Sequence, residues 1–382
     1  MTLGELTSSN RRVALVGLAK NTGKTVALAA LLRELKAAGQ QVGVTSVGRD
    51  GEDHDVIDSR IDKPRVNLPA GSLVATTDGL LRASAVPHEL LEEMDVRTPL
   101  GRVLIARLLG DGAIEVAGPS AAADVRAAAD AMLVHGAEQV LIDGAIDRRA
   151  ASSPAIVDGL VMSTGAVLSE DIDEVVLQTK DAVELVCLPR VDDASEIGQL
   201  LRELSAPVAD DTSLLGAAPG SNLREASGNG RTSFLIGEDL EPTSLPPRFV
   251  LTSEADQIAE ELDANPDARW LLVAGALPDR FLRSLLHPVH HRRRELVLVV
   301  SDPTRVFLWK RGPEWYRRQG VQLQALERVE LEAITVNPVA PQSHGFDSGR
   351  LRGMLAEAIP EIPIFDVLAE DYPSVHQAAS AV

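Results

Sequence analysis

The chain has 382 residues, a length that allows two or three domains. Of these residues 45% are hydrophobic and 24% are charged, a composition typical of soluble globular proteins. Its formal net charge of −19 argues against general binding to nucleic acids or anionic membranes, because phosphate groups attract basic surfaces. The single cysteine, Cys187, excludes internal disulfides and multi-cysteine metal sites.

The N-terminal segment lacks the basic and apolar regions of a secretory signal peptide. No uninterrupted apolar stretch approaches the ~20 residues that a membrane-spanning helix needs. We therefore expect a cytoplasmic protein with no membrane partner.

The first predicted elements are those of a P-loop. An apolar run at 13–16 predicts a strand, and the run at 26–35 has helical spacing. Residues 17–25 between them have the sequence Gly-Leu-Ala-Lys-Asn-Thr-Gly-Lys-Thr. In a P-loop the backbone N–H groups and the helix N-terminus bind phosphate. We expect Lys24 to contact the β- and γ-phosphates of ATP or another nucleoside triphosphate, and Thr25 to ligate Mg²⁺.

The glycine spacing departs from the usual P-loop. Four residues normally separate its two glycines, whereas five separate Gly17 from Gly23. Leu18 therefore takes the place of the first glycine, and an ordinary strand–helix turn with Lys24 at the surface is the alternative. The residues predicted to bind the nucleotide are Lys20, Asn21, Thr22, Gly23, Lys24 and Thr25.

An acidic loop, Gly48-Arg-Asp-Gly-Glu-Asp-His-Asp55, follows the second predicted strand at 41–45. Carboxylates near a phosphate site suggest Mg²⁺ coordination or the positioning of water. We expect Asp50 and Glu52 in that role, with Asp50 both a metal ligand and a catalytic residue, and Arg49 in contact with phosphate or substrate. A solvated acidic loop is the alternative.

Alternation of strands and helices continues to residue 189. It predicts an α/β fold resembling a P-loop NTPase, with a mostly parallel sheet covered by helices on both faces. The predicted strands lie at 73–77, 101–106, 113–117, 139–143 and 160–163, and the helices at 120–135 and 171–188.

A second carboxylate ends the strand at 139–143. An apolar strand ending in Asp143 predicts a residue of the Mg²⁺ shell opposite the P-loop threonine. Asp147 follows just beyond the strand, at the edge where ligands of parallel sheets bind, and is a candidate catalytic residue or a structural turn residue.

Two further loops are expected at the same edge. Ala117-Gly-Pro-Ser120 precedes a helix and could offer backbone N–H groups to an anion or simply cap that helix. Ser163 and Thr164 could border the base or the substrate. Thr179-Lys-Asp181 is similar to the element that recognises guanine, but its Asp lies one position early and its spacing is helical, so GTP specificity has no support.

The rest of the chain is predicted as a connector at 190–247, rich in Gly, Pro, Ser and Asp, and a C-terminal α/β domain at 248–382. In that domain a segment at 306–309 is expected to form a hairpin with the strand at 295–300. The other predicted strands are 248–251, 270–274, 333–336 and 363–367, and the helices are 254–262, 279–286 and 347–358.

The basic run His287-Pro-Val-His-His-Arg-Arg-Arg294 is a solvated surface or a partner contact. The long segment 335–346, which follows a predicted strand, is a place where function often lies.

The order of several segments resembles the KamB-type subunit of lysine 5,6-aminomutase reactivases. The segments are Gly17–Thr25, Gly48–Glu52 and Leu141–Arg148, supported by Thr98–Gly101, Ser163–Ala166 and Val336–Pro338. The first half is also similar to a wider P-loop group that includes dethiobiotin synthetase and the molybdopterin-guanine dinucleotide accessory protein, although the displaced glycine agrees less well with that group.

The resemblance implies an ATP-binding accessory protein that keeps a cobalamin- and pyridoxal-phosphate-dependent aminomutase active, together with a second, ATPase-type subunit. A stand-alone ligase or kinase acting on a small molecule is one alternative. A binding module with a degenerate P-loop is another. The motifs are compatible both with nucleotide hydrolysis and with binding alone.

Overall fold

A computed structural model describes residues 2–48, 65–145, 152–206, 232–286, 296–341 and 344–369. The chain divides into two compact units. The first comprises residues 1–180 together with 329–382, and the second comprises 181–328.

Most strands of the first unit join one large sheet. They are β1 Arg12–Gly17, β2 Val42–Ser46, β4 Leu73–Thr77, β5 His88–Thr98, β6 Gly101–Leu108, β8 Gln139–Ala145, β9 Gly159–Gly165, β17 Glu330–Asn337 and β18 Ile364–Phe365. The spatial order of the nine is β18-β17-β9-β1-β8-β2-β4-β6-β5. Pairing is parallel from β18 to β4, and β6 and β5 add antiparallel strands at one edge. A short antiparallel pair, β3 Val66–Leu68 and β7 Gly112–Ile114, stands apart from this sheet.

The helices of the first unit are α1 Leu3–Thr7, α2 Lys24–Ala37, α3 Asp78–Ala83, α4 Ala122–Val134, α5 Ile172–Val186, which extends past residue 180, and α11 Ser348–Ala358. The core is aliphatic, as the low aromatic content requires. Val13, Ala14 and Leu15 of β1 are fully buried, and α2 packs Leu28 and Leu31 into the same core. The expected α/β class with a large, mostly parallel sheet is confirmed.

The second unit has its own strands. They are β10 Phe234–Gly237, β11 Pro242–Ser244, β12 Ala268–Val273, β13 Leu277–Pro278, β14 Val297–Val300, β15 Val306–Phe307 and β16 Gln322–Ala325. Five of them form one sheet in the order β11-β10-β12-β14-β16. Strands β12, β14 and β16 are parallel, whereas β10 runs antiparallel to β12 and β11. The helices are α6 Glu196–Ser205, α7 Phe249–Thr252, α8 Ala255–Ala264, α9 Asp279–Leu285 and α10 Pro313–Arg318.

The compact units differ from the predicted boundaries at 189 and 247. Strand β17 pairs in parallel with β9, so the last part of the chain completes the first sheet instead of a separate C-terminal domain. Strands β10 and β11 lie in the predicted connector but belong to the sheet of the second unit. Composition along the chain does not carry this information, because strand pairing joins residues far apart in sequence.

One predicted strand and one predicted strand pairing in the C-terminal half are wrong. Residues 249–252 form helix α7, which follows Arg248 in the left-handed conformation, with φ of 62°. Strand β15 pairs in parallel with β13 and not in a hairpin with β14. Both segments are short apolar runs, for which periodicity does not distinguish helix from strand or choose a partner. None of the helices in the described part of the chain is long and apolar enough to cross a membrane.

Candidate functional site

The site lies at the carboxyl end of β1, in the middle of the large sheet. Strand β1 has β8 on one side and β9 on the other. The chain continues from β1 to β2 on the β8 side of the sheet, whereas the later connection from β8 to β9 passes to the opposite side of β1. Such a switch in strand order leaves a crevice outside the carboxyl ends of the strands, where ligands of open α/β sheets bind. Loop 18–23 connects β1 to α2 at this position.

Loop 18–23 has a tightly fixed backbone. Asn21 and Gly23 both have left-handed φ angles, 68° and 88°, and Gly23 immediately precedes α2. The buried Thr22 hydroxyl donates to the Ala19 carbonyl at 3.0 Å. At the other end of the loop, the Leu18 amide donates to the Ser163 carbonyl of β9 at 2.9 Å.

The displaced glycine of the sequence has a packing reason. A Cβ atom added at Gly17 would lie 2.4 Å from the Thr22 hydroxyl oxygen, so a side chain at position 17 is incompatible with the observed loop. The loop therefore needs its glycine at the last residue of β1, where Thr22 folds back, and Leu18 is tolerated at the following position.

Lys24 and Asp143, two of the predicted site residues, are brought together. Lys24 is the first residue of α2, and Asp143 lies on β8 directly opposite Leu15 of β1. The Lys24 Nζ atom is 2.8 Å from Asp143 Oδ1, and both side chains are largely shielded from solvent, with exposed fractions of 22% and 28%. The Oδ1 atom itself is buried and accepts no well-aligned hydrogen bond from the described residues, so the contact is an ion pair.

The other predicted nucleotide-binding residues lie in loop 18–23 and the first turn of α2. Thr25 is partly buried in the first turn of α2, next to Lys24. Lys20 and Asn21 are exposed, whereas Thr22 is buried and its hydroxyl forms a hydrogen bond within the loop. The Thr22 side chain therefore shapes the loop and does not project toward solvent.

Asn337, at the end of β17, was not predicted as a site residue. Its side-chain amide donates to the Asn21 carbonyl at 3.0 Å, and a Cβ added at Gly23 would lie 3.1 Å from the Asn337 Cβ atom. At the next strand, a Cβ at Gly165 would lie 2.1 Å from the Asn337 carbonyl oxygen. The sequence shows Asn337 as a polar residue directly after the apolar run 333–336, but its contact with Asn21 could not be inferred from the sequence.

Ser163 and Thr164 do not face the crevice with free hydroxyl groups. The Ser163 hydroxyl is 2.8 Å from that of Thr335 on β17, and the Thr164 hydroxyl is 2.7 Å from that of Thr179 on α5. All four side chains are buried. These pairs fasten β9 to its neighbours, and Thr179 lies on a helix face as its spacing predicted.

The loop 117–120 is also occupied by internal hydrogen bonds. The Ala117 amide donates to the Thr76 hydroxyl at 3.0 Å, and the Gly118 amide donates to the Ser46 hydroxyl at 3.1 Å. Two of the amides considered for anion binding are therefore already paired. Helix α4 starts at Ala122, two residues later than predicted, without a side-chain cap.

Several predicted residues lie outside the described residues, namely Arg49, Asp50, Glu52, Asp147 and the basic run His290–Arg294. The described residues just before position 49 nevertheless lie beside the site, because the Val47 amide donates to the Asp143 carbonyl at 3.0 Å. Strand β8, which carries Asp143, likewise ends at Ala145 on the same edge.

The oxygens near Lys24 suit a hard cation. Carboxylate and hydroxyl oxygens are what Mg²⁺ prefers, and Mg²⁺ in nucleotide sites needs few protein ligands because phosphates and waters complete its shell. Asp143 and Thr25 provide such oxygens. Within the described ranges, no group of three or more His, Cys, Asp or Glu side chains is arranged to hold a metal ion.

Comparison of the chain with known protein families, with curated proteins and with solved structures finds no match. The fold and the site define an α/β protein in which a glycine-containing loop, a lysine and a carboxylate meet at the carboxyl end of the central strand of a mostly parallel sheet.

Proposed function

We propose that the protein binds a nucleoside triphosphate with Mg²⁺, as a P-loop NTPase-like protein, at loop 18–23 and the start of α2. The observation that carries this proposal is the ion pair between Lys24 and Asp143 at 2.8 Å, at the switch point of the sheet. A lysine at the start of a helix that follows a glycine loop, next to a carboxylate on the neighbouring strand, has the parts that phosphate and metal binding require.

Nucleotide binding exchanges partners within this ion pair. Lys24 would leave the carboxylate for the β- and γ-phosphates, and Asp143 and Thr25 would hold Mg²⁺, which would neutralise charge on the phosphates. The left-handed residues Asn21 and Gly23 turn the backbone of the loop and let its amides converge on phosphate oxygens. In this proposal Lys20 and Arg49 add positive charge, Asp50 holds the metal or positions the attacking water, and Asp147 is a second candidate catalytic carboxylate.

A calorimetric titration separates this proposal from a binding module with a degenerate loop. ATP and GTP are added in turn to the full chain in the presence of Mg²⁺. Saturable heat with either nucleotide is expected, and its absence with both would overturn the proposal. The comparison of the two nucleotides also establishes which base is preferred.

We further propose, from the resemblance of the ordered segments, that nucleotide binding serves to reactivate a cobalamin- and pyridoxal-phosphate-dependent aminomutase. The partner is a second, ATPase-type subunit. In the test, inactivated lysine 5,6-aminomutase is incubated with this protein, the second subunit, ATP and fresh adenosylcobalamin. Recovery of turnover is expected, and no recovery with folded proteins would refute this role while leaving nucleotide binding intact.

The alternative of a small-molecule ligase or kinase predicts nucleotide turnover that rises with a small carboxylate and not with a protein partner. The internal hydrogen bonds of Ser163 and Thr164 weaken this alternative, because they remove two groups that were considered for substrate binding. Measurement of phosphate release with each class of addition distinguishes the two.

A further inference from the structure

An exposed tryptophan lies on a turn of the second unit, whereas the candidate nucleotide site belongs to the first. Trp309 follows β15, and 66% of its surface is exposed, together with 46% of the surface of Phe307 two positions earlier. The chain has few aromatic residues, and an indole left largely in water gains no burial energy within the unit. Tryptophan is also the residue type most often found at the energetic centre of protein interfaces.

The backbone under Trp309 is rigidly held. Asp279 is 12% exposed and accepts hydrogen bonds from the Trp309 amide at 3.1 Å and from the Tyr316 hydroxyl at 2.5 Å. Arg283 completes the network, because its Nε atom lies 2.6 Å from the same carboxylate and it also donates to the Trp309 carbonyl. The indole is therefore presented from a fixed turn, which lowers the entropy cost of binding a partner.

The Tyr316 hydroxyl stays uncharged within this network. Burial, followed by the neighbouring Asp279 carboxylate, raises the pKa of Tyr316 to about 12, so its hydroxyl stays protonated and donates at physiological pH. The Trp315 ring stacks edge-on against Tyr316, and the Arg311 guanidinium lies 5.6 Å from the centre of the Trp315 ring.

The turn is basic in a strongly acidic chain. Segment 302–318 contains five basic and two acidic residues, although the whole chain has a net charge of −19. Both acids of the segment are engaged locally, and two carboxylates of α5 also reach it. Asp181 lies beside Gly312, and Glu184 accepts from the Glu314 amide at 3.2 Å. Asp302 accepts from the Thr304 amide, and Glu314 pairs with two arginines of α10. Lys310 and Arg311 are exposed and make no ion pair with the residues that the structure describes.

We propose that this surface, consisting of Trp309, Lys310 and Arg311 with Phe307 at its edge, docks an acidic segment of a partner protein. Carboxylates of the partner pair with Lys310 and Arg311, and an apolar side chain between them packs on the indole. The net negative charge of the rest of the chain favours an acidic protein segment over nucleic acid as the partner. A short acidic segment contacts only the basic turn, whereas a long nucleic acid would also be repelled by the acidic surface around it.

The test uses the full-length protein and a fluorescein-labelled peptide of repeated Glu-Glu-Leu triplets. Fluorescence anisotropy is measured at low and at physiological salt. The expected result is saturable binding that weakens with salt, with affinity about tenfold or more lower in K310E/R311E and in W309A. A peptide of Gln-Gln-Leu triplets is expected to bind much more weakly.

A matched control changes the net charge equally but elsewhere. The double variant R33E/R350E reverses two exposed charges of the first unit and is expected to retain wild-type affinity within about twofold. If K310E/R311E folds poorly by circular dichroism, K310Q/R311Q takes its place. The proposal is overturned by absent peptide binding, by equal losses in the control, or by tighter binding of an oligothymidylate, which would identify a nucleic-acid surface.

Discussion

The side-chain amide of Asn337 donates a hydrogen bond to the backbone carbonyl of Asn21 at 3.0 Å. These residues are far apart in the chain, but Asn337 ends β17 and Asn21 lies in the loop that follows β1, and both strands flank β9. The Cβ atom of Asn337 also fills the space beside Gly23. Strand β17 therefore helps to fix the conformation of the proposed phosphate-binding loop.

Replacement of Asn337 with Ala removes this hydrogen bond and leaves the Asn21 carbonyl without its side-chain donor. We expect a loss of about 1 kcal/mol in the free energy of unfolding and a several-fold weaker affinity for ATP, because the loop is less well ordered before binding. Denaturant titration and calorimetry measure the two effects. Asn265→Ala in the second unit serves as the control. Unchanged ATP affinity would show that Asn337 has no part in organising the loop.

Asp143→Asn keeps the shape of the side chain but removes the charge that holds Lys24. We expect ATP to bind this variant better than the wild type when Mg²⁺ is absent, because Lys24 no longer has to leave a carboxylate. The increase in affinity on adding Mg²⁺ should shrink by roughly tenfold, since a carboxamide is a poorer ligand for a hard cation. Equal Mg²⁺ dependence in variant and wild type would exclude Asp143 from the metal shell.

Glu332 on β17 makes stability depend on pH. Burial, opposed by the hydrogen bond from Asn10 and aided by Glu330, raises the pKa of Glu332 above its ordinary value of 4.5. A raised carboxyl pKa in the folded state means that its contribution to stability is complete below pH 4.5 and is lost as the pH rises through the folded pKa.

Glu332→Gln should therefore become more stable relative to the wild type as the pH increases from 4 to 7. Denaturant titrations across that range measure the difference, with the exposed Glu357→Gln as the control. A stability difference that does not vary with pH would contradict the assignment.

Tyr316→Phe removes the hydroxyl that donates to Asp279 and keeps the buried ring. The loss expected is about 1–3 kcal/mol, because the Asp279 carboxylate keeps its other donors but loses a buried one. Chemical denaturation monitored by the tryptophan fluorescence of the second unit reports the change. A variant as stable as the wild type would show that the network around Trp309 is not held by this hydrogen bond.

Local signals in the sequence were sufficient to predict β1, α2 and β8 because each is a continuous apolar run or a helical period bounded by clear turn residues. Asp143 and loop 18–23 were expected at one edge of the sheet, but the ion pair between Lys24 and Asp143 was not predicted. The placement of Asn337 and the pairing of β17 with β9 did not follow, because they depend on long-range register that composition does not encode.

Some expectations failed for a different physical reason. Ser163 and Thr164 were expected at the ligand edge of the sheet, and they do lie near the end of β9. Their hydroxyls, however, form buried hydrogen bonds with those of Thr335 and Thr179. A buried hydroxyl needs a hydrogen-bond partner, and only the packed structure reveals which one it has.

The most direct test of the account is the affinity of Lys24→Ala for ATP with Mg²⁺, measured by calorimetry beside Lys36→Ala, which removes an exposed lysine from the last turn of the same helix. The account predicts roughly tenfold or more loss of affinity for Lys24→Ala, because a charge-assisted hydrogen bond to phosphate contributes ~1.5–3 kcal/mol, and wild-type affinity for Lys36→Ala. Wild-type affinity in both variants, or equal losses in both, would contradict a phosphate-binding role for the loop.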